Sequence, residues 1–259
     1  MEMGNLGEFR PGNFSVGNRV VSVTEVFRSV SKCWQGPSIQ PPKVFGSVFV
    51  TQSVRTRCSF ERAAIDLGMG VITVTERRDN EPLRDFGFAV AQSCDLCVVR
   101  LWGNDFEEFV SDIDIPVIDG GQGTKSHPTQ ALVDLYTLVD NGILPPARIG
   151  LFGPPENRTM HSFRQLASQS GYRCFEFMDQ DLFSCRKEYD VIYGVTFGNW
   201  YGVERSIPKG LTAKIMHPFP RGKVVPSTYD FTDQDLYHQQ MKNAIRVRRA
   251  LCAVLLDSM

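Results

Sequence analysis

What most constrains the fold of this chain is a repeated switch between two hydrophobic periods. Short, apolar, β-rich runs alternate with longer segments whose apolar residues recur at helical spacing. Val44-Phe45-Gly46-Ser47-Val48-Phe49-Val50 reads as a strand. A helix follows over 59–67, with Gly68 as its C-cap. A strand at 71–74, a helix at 83–93 and a strand at 96–99 come next, the last ending at Arg100. A short strand at 116–118 runs into Asp119-Gly120-Gly121-Gln122-Gly123, and 128–139 is an amphipathic helix. The pattern breaks at Asn141-Gly142-Ile143-Leu144-Pro145-Pro146 and then restarts. Strands are expected at 148–152, 173–177, 190–195 and 214–216, with helices at 159–170 and 239–256. Apolar strands separated by helices join in parallel, with helices covering both faces of the sheet. The expected fold is therefore α/β, with two domains, each a parallel sheet flanked by helices. Their expected bounds are 1–140 and 147–238, with the helix at 239–259 packing back on the first. Ligands of such sheets bind outside the carboxyl ends of the strands, so the active site is expected in the interdomain cleft.

Composition narrows the partners. The 259 residues include 28 Lys+Arg and 29 Asp+Glu, for a formal net charge of −1. No broad basic face follows from that balance, which argues against nucleic acid or an anionic membrane as partner. An anionic ligand would have to be held by a few locally placed cations. The polar, Gly- and Pro-broken start lacks the apolar core of a secretory signal, and no run approaches the ~20 apolar residues of a membrane span. The seven scattered cysteines read as reduced thiols of a cytoplasmic protein. Cys94 and Cys97 form a C-x-x-C at a helix-to-strand junction, but nothing nearby completes a zinc site, and they are expected to be two small half-buried residues.

The residues that follow the strands are more informative. Ser53-Val54-Arg55-Thr56-Arg57 opens a helix after the first strand, and Arg100 ends the third. His127 and Gln130 follow the Gly-rich loop, and Arg158 and His161 follow the strand at 148–152. His217-Pro218-Phe219-Pro220-Arg221 follows the strand at 214–216. Several strand ends thus deliver a donor or a cation to one edge. A helix start offers unpaired N–H groups and partial positive charge; with hydroxyls and two Arg it suits a phosphate. An N-cap serine with two solvated arginines would look the same. A neutral imidazole at His127 can donate to a carbonyl oxygen, although a His at a helix start can also simply pack. His127 and Gln130 share one helix face.

Four stretches, in order, carry a family resemblance. Ser53-Val54-Arg55-Thr56-Arg57-Cys58-Ser59-Phe60-Glu61 resembles the carbamoyl-phosphate motif of the aspartate and ornithine carbamoyltransferases. His127-Pro128-Thr129-Gln130, with Leu132 and Asp134-Leu135, is similar to that family's second motif. Arg158-Thr159-Met160-His161-Ser162 and His217-Pro218-Phe219-Pro220-Arg221 resemble motifs of its aspartate branch. The resemblance implies transfer of a carbamoyl group from carbamoyl phosphate to an amine, without covalent intermediate, metal or cofactor. Ser53, Arg55 and Thr56 would hold the phosphate, near Val54 and Arg57. Thr56, Arg100 and His127 would polarise the carbonyl oxygen. Gln130 and the carbonyls of Pro218 and Phe219 would bind the carbamoyl NH2. Arg158 would bind a carboxylate of the acceptor, with Thr196 and Arg221 in the same half of the site. A homotrimer is the implied assembly.

Departures from the family pattern gather on the acceptor side. Val54 stands where the family has Thr. The stretch Thr75-Glu76-Arg77-Arg78-Asp79-Asn80-Glu81-Pro82 is shorter than the family's and lacks its Lys. After the strand at 190–195, Thr196-Phe197-Gly198 replaces the aspartate branch's acceptor-binding Arg and Gln. Three functions remain open on sequence alone: transfer to an unusual amine, transfer to aspartate with Arg77, Arg78 or Arg221 as substitutes, and a non-catalytic homologue that binds an anion or a partner chain.

Overall fold

The computed structural model describes residues 12–33, 43–103, 105–123, 125–177, 188–196 and 205–257. They form two compact units, one of 12–129 with 244–257 and one of 130–243.

The first unit opens with an antiparallel hairpin of β1 (Asn13–Ser15) and β2 (Val20–Ser22), followed by helix α1 (Val23–Cys33). No clear local period in the sequence before residue 44 marks these elements. Strand β3 (Val44–Phe49), helix α2 (Val54–Asp66), strand β4 (Gly70–Val74) and helix α3 (Leu83–Ala91) follow. Strand β5 (Leu96–Arg100), the short helix α4 (Phe106–Phe109) and strand β6 (Val117–Asp119) complete a parallel sheet of order β4-β3-β5-β6. Pleating sends alternate residues of β3 to opposite faces. Phe45 stacks on Phe60 of α2, with ring centroids 6.1 Å apart. Val48 packs with Leu83, Phe86 and Val90 of α3 on the other side. Helix α2 begins at Val54 with Ser53 as its N-cap, as expected of the 53–57 stretch, and the apolar-spaced stretch from 59 continues it.

Cys94 and Cys97 do lie between α3 and β5, but both are buried, not half-buried. Gly46 of β3 makes room for them: a Cβ there would lie 2.8 Å from Cys94 Sγ. The Cys97 thiol hydrogen-bonds Cys94 and lowers its pKa, while that bond and burial raise the pKa of Cys97.

Helix α5 (Pro128–Asp140) leads into the second unit. There β7 (Arg148–Phe152), α6 (Arg158–Gln169), β8 (Arg173–Phe177), β9 (Val191–Gly194) and β10 (Lys214–Met216) build a second parallel sheet, of order β10-β9-β7-β8. On one face Tyr193 stacks on Phe163 of α6 at 4.3 Å. On the other, Ile192 packs with Ile207, Leu211, Val224 and Tyr229. The closing helix α7 (Tyr237–Asp257) supplies its first turns to this unit and its last to the first. In the first unit, buried Arg248 donates to Ser59 Oγ and lies over the Phe60 ring, 4.9 Å from its centroid. No helix among the described residues is long and apolar enough to cross a membrane.

Candidate functional site

Within the first unit, the strand-end residues converge. Ser53 is the N-cap of α2 and makes no side-chain capping bond. Val54 and Arg55 are exposed in the first turn, and Thr56 is buried. Arg57 is half-buried, with Nε 3.8 Å from Glu61 one turn on. Glu61 also accepts from Ser47 at 2.9 Å and Thr73 at 3.0 Å, so Arg57 is shared with the helix's own acid. Ser59 Oγ donates to the Thr56 carbonyl at 2.9 Å and to that of Arg55 at 2.6 Å, tightening the turn that carries them.

Arg100 comes from the end of β5. Its Nε donates to Thr51 Oγ1 at 3.1 Å, and the Thr51 N–H donates back to the Arg100 carbonyl at 3.3 Å. Thr51 stands two residues before Ser53, so these bonds tie the start of the α2 loop to the strand that presents Arg100. Arg100 Nη1 also donates to the Gly120 carbonyl at 3.3 Å.

The loop from β6 to α5 brings His127 to the same place. Asp119 accepts from the Gly121 N–H at 2.7 Å and from Ser126 Oγ at 2.8 Å, which holds the loop at both ends. Gln122 donates to the Val99 carbonyl at 3.1 Å and stitches the loop to β5. Gly121 has φ +104°, a conformation that favours glycine. A Cβ on it would lie 3.0 Å from Arg100 Nη1 and 3.1 Å from His127 Cδ2. The guanidinium and the imidazole therefore flank one point over a bare glycine. Thr51, Asp119 and Gln122 were not singled out as site residues from sequence. Their signal was position alone, immediately beside the residues that were.

In the second unit, Gln130 lies in the first turn of α5 and donates through Nε2 to Asp134 Oδ1 at 2.7 Å. Pro218 and Phe219 lie in the loop after β10, where the Phe219 N–H donates to His217 Nδ1 at 2.9 Å. Arg158 is the first residue of α6 and is half-buried; Asn157 caps that helix by accepting from Thr159 N at 3.0 Å. Thr196 follows β9, its methyl carbon 3.8 Å from where a Cβ on Gly222 would sit. The adjoining Phe197 and Gly198 lie outside the described residues.

Arg221 is engaged within its own loop. Its two terminal nitrogens donate to the two carboxylate oxygens of Asp230, one of them at 2.9 Å, and it lies 5.5 Å from the centroid of Tyr237. Tyr237 OH donates to Asp230 as well, at 2.7 Å. Hydrogen bonding from Arg221, then from Tyr237, holds the Asp230 carboxyl at about 2, well below its ordinary value. Arg77 donates to the Glu81 carbonyl, and the Glu81 N–H returns to the Arg78 carbonyl at 3.1 Å, so the 75–82 loop bonds to itself.

Chemically, the first unit offers what a phosphate joined to a carbonyl requires: helix-start N–H groups and hydroxyls, a strand-end guanidinium, and an imidazole beside it. Among the described residues no cluster of three or more His, Cys, Asp or Glu could hold a metal ion.

Comparison with known proteins points the same way. Residues 18–140 match the family described as aspartate/ornithine carbamoyltransferase, carbamoyl-phosphate-binding domain. The aspartate carbamoyltransferase catalytic subunit of Haloquadratum walsbyi is 29% identical over 261 residues, spanning 82% of this chain and 85% of the relative. That of Thermococcus onnurineus is 29% identical over 263 residues, spanning 83% and 84%. Among solved structures, the catalytic subunit of M. jannaschii aspartate transcarbamoylase superposes with a TM-score of 0.81 at 24% identity, over 91% of this chain and 94% of that one. Aspartate transcarbamoylase of Trypanosoma cruzi, solved with carbamoyl aspartate and phosphate, superposes with a TM-score of 0.79 at 19% identity, over 97% and 98%. At such identities the superpositions speak for the fold.

Proposed function

We propose that the chain is a carbamoyltransferase of the aspartate/ornithine family, whose carbamoyl-phosphate-binding domain its residues 18–140 match, and that it moves the carbamoyl group of carbamoyl phosphate onto the amino group of an amino acid or related amine, releasing phosphate. The observation that carries this reading is the pairing of Arg100 and His127 over Gly121. Amine attack on the carbonyl creates a tetrahedral oxyanion, and preorganised donors at that oxygen lower the barrier. His127, Arg100 and Thr56 supply them. Phosphate leaves with added charge, which Arg55, Arg100 and the N–H groups at the start of α2 offset, with Ser53 donating its uncommitted hydroxyl. Gln130 and the carbonyls of Pro218 and Phe219 take the carbamoyl NH2, and Arg158 takes a carboxylate of the acceptor. Holding two reactants in line supplies much of the remaining acceleration. A homotrimer belongs to the same proposal.

The acceptor we propose is smaller or less acidic than aspartate. Recognising a second carboxylate needs an available cation. Arg221 is spent on Asp230 and Arg77 on the carbonyl of Glu81, while Arg78 is exposed, where solvent screens its charge. The test is phosphate release from carbamoyl phosphate with a panel of amines. Release with an amine other than aspartate, and none with aspartate, is expected. Fast release with aspartate would return the acceptor to aspartate. No release with any amine, alongside retained carbamoyl-phosphate binding, would leave a non-catalytic homologue. Arg55→Ala and Arg100→Ala should each weaken carbamoyl-phosphate binding by at least roughly tenfold, since each removes a charge-assisted bond; wild-type binding in both would overturn the site.

A further inference from the structure

An amide side chain has two unlike ends: the nitrogen donates and the oxygen accepts. Which end of Gln130 faces a ligand is therefore decided by what holds the other. Asp134 lies one turn along α5, fully buried, and an ionised carboxylate only accepts. Its Oδ1 takes the Gln130 Nε2 donor at 2.7 Å, which turns Gln130 Oε1 the other way. A carbamoyl NH2 only donates, so the end presented is the end that group needs.

The same carboxylate carries two more donors. Gln240 Nε2 reaches Oδ1 at 2.7 Å, and the Tyr193 hydroxyl reaches Oδ2 at 2.6 Å. Burial, reinforced by Asp134, pushes the Tyr193 phenol well above its ordinary pKa, so it stays a donor. Gln240 then accepts the His217 N–H on Oε1 at 2.8 Å, and His217 Nδ1 accepts the Phe219 N–H at 2.9 Å. Both ends of the Gln240 amide are thus dictated by partners of one kind each. A continuous run of bonds joins Gln130 to the backbone at 217–219 through one buried carboxylate. Burying a carboxylate is costly, and an apolar residue would fill the space without that cost.

We infer that Asp134 is a positioning residue: its carboxylate sets the acceptor end of Gln130 and, through Gln240, the loop carrying Pro218 and Phe219, so that the site selects a donor bearing NH2 over one bearing a methyl group. This rests on the carbamoyl-transfer reading. Leu at 134, similar in shape but without an acceptor, holds none of the three donors, so both glutamine amides are released to turn. A role confined to packing would weaken all ligands alike, whereas a positioning role changes the ratio between them.

The experiment measures the dissociation constants of carbamoyl phosphate and acetyl phosphate, which carries CH3 in place of NH2, by calorimetry. Wild-type protein is expected to prefer carbamoyl phosphate by roughly tenfold or more, the worth of one or two satisfied hydrogen bonds. Asp134→Leu should cut that preference to about twofold or less, mostly by weakening carbamoyl phosphate. Tyr193→Phe, which keeps the carboxylate, should retain most of it. If Asp134→Leu fails to fold, Gln240→Met provides the reading, with the preference expected to fall at least about threefold. An unchanged preference in either folded variant overturns the inference. So does a wild-type protein that binds both compounds equally, which would leave the phosphate site standing. Binding of neither by wild type would instead remove the carbamoyl-transfer reading itself.

Discussion

Gly121 is where the geometry is least forgiving. An Ala there would take a left-handed φ of +104° and push its Cβ against both Arg100 and His127. Gly142 also has a positive φ, +69°, but nothing lies within 4 Å of its Cβ position. Both alanine variants should cost about 1–3 kcal/mol from backbone strain. Only Gly121→Ala should also weaken carbamoyl-phosphate binding, by at least roughly tenfold, because only it displaces charge-assisted donors. Equal binding in the two variants would detach Arg100 and His127 from a shared site. Asp230 makes a second prediction, now in pH. Its folded pKa, about 2, lies below the ordinary 3.8, so its stabilising effect is fully present above about pH 4 and is lost as pH falls through about 2. Asp230→Asn should therefore be less stable than wild type near neutrality. In denaturant melts the gap should close between about pH 4 and pH 2.

Helices α2 and α6 begin in opposite ways. Asn157 caps α6 with its side chain, accepting from Thr159 N and Met160 N, whereas Ser53 of α2 makes no such bond. Asn157→Ala should cost about 1 kcal/mol of stability, the usual worth of an N-cap. Ser53→Ala should cost little stability and instead weaken carbamoyl phosphate. A stability loss in Ser53→Ala as large as in Asn157→Ala would mean its hydroxyl serves the helix and not a ligand. The same contrast explains which elements were legible in the sequence. Strands at 148–152, 173–177 and 214–216 declare themselves through local apolar runs, and the structure has the same bounds. The β1–β2 hairpin hides because its partners are remote: Asn18 Oδ1 accepts from Val117 N at 2.8 Å, Asn18 Nδ2 donates to the Ile115 carbonyl at 3.2 Å, and Arg19 donates to the Asp114 carbonyl at 2.9 Å. No local period encodes contacts nearly a hundred residues apart. Asp134 stands in a recognisable motif, but its partners hide for a related reason, since Tyr193 and Gln240 are remote from it in sequence.

At the scale of the whole molecule, α7 is the element that neither unit can do without. Its early turns hold Gln240 against Asp134, and its later turns lay Arg248 on Phe60 and Ser59. This has a consequence in time. A ribosome adds roughly 5–20 residues per second. More than a hundred residues separate the end of the first unit's leading segment, at 129, from the segment that completes it, at 244. For on the order of ten seconds the nascent sheet must wait with Phe60 and its neighbours uncovered. Of the two units, the one translated first is thus the one finished last, and the interval between is when a chaperone would have the most exposed surface to hold.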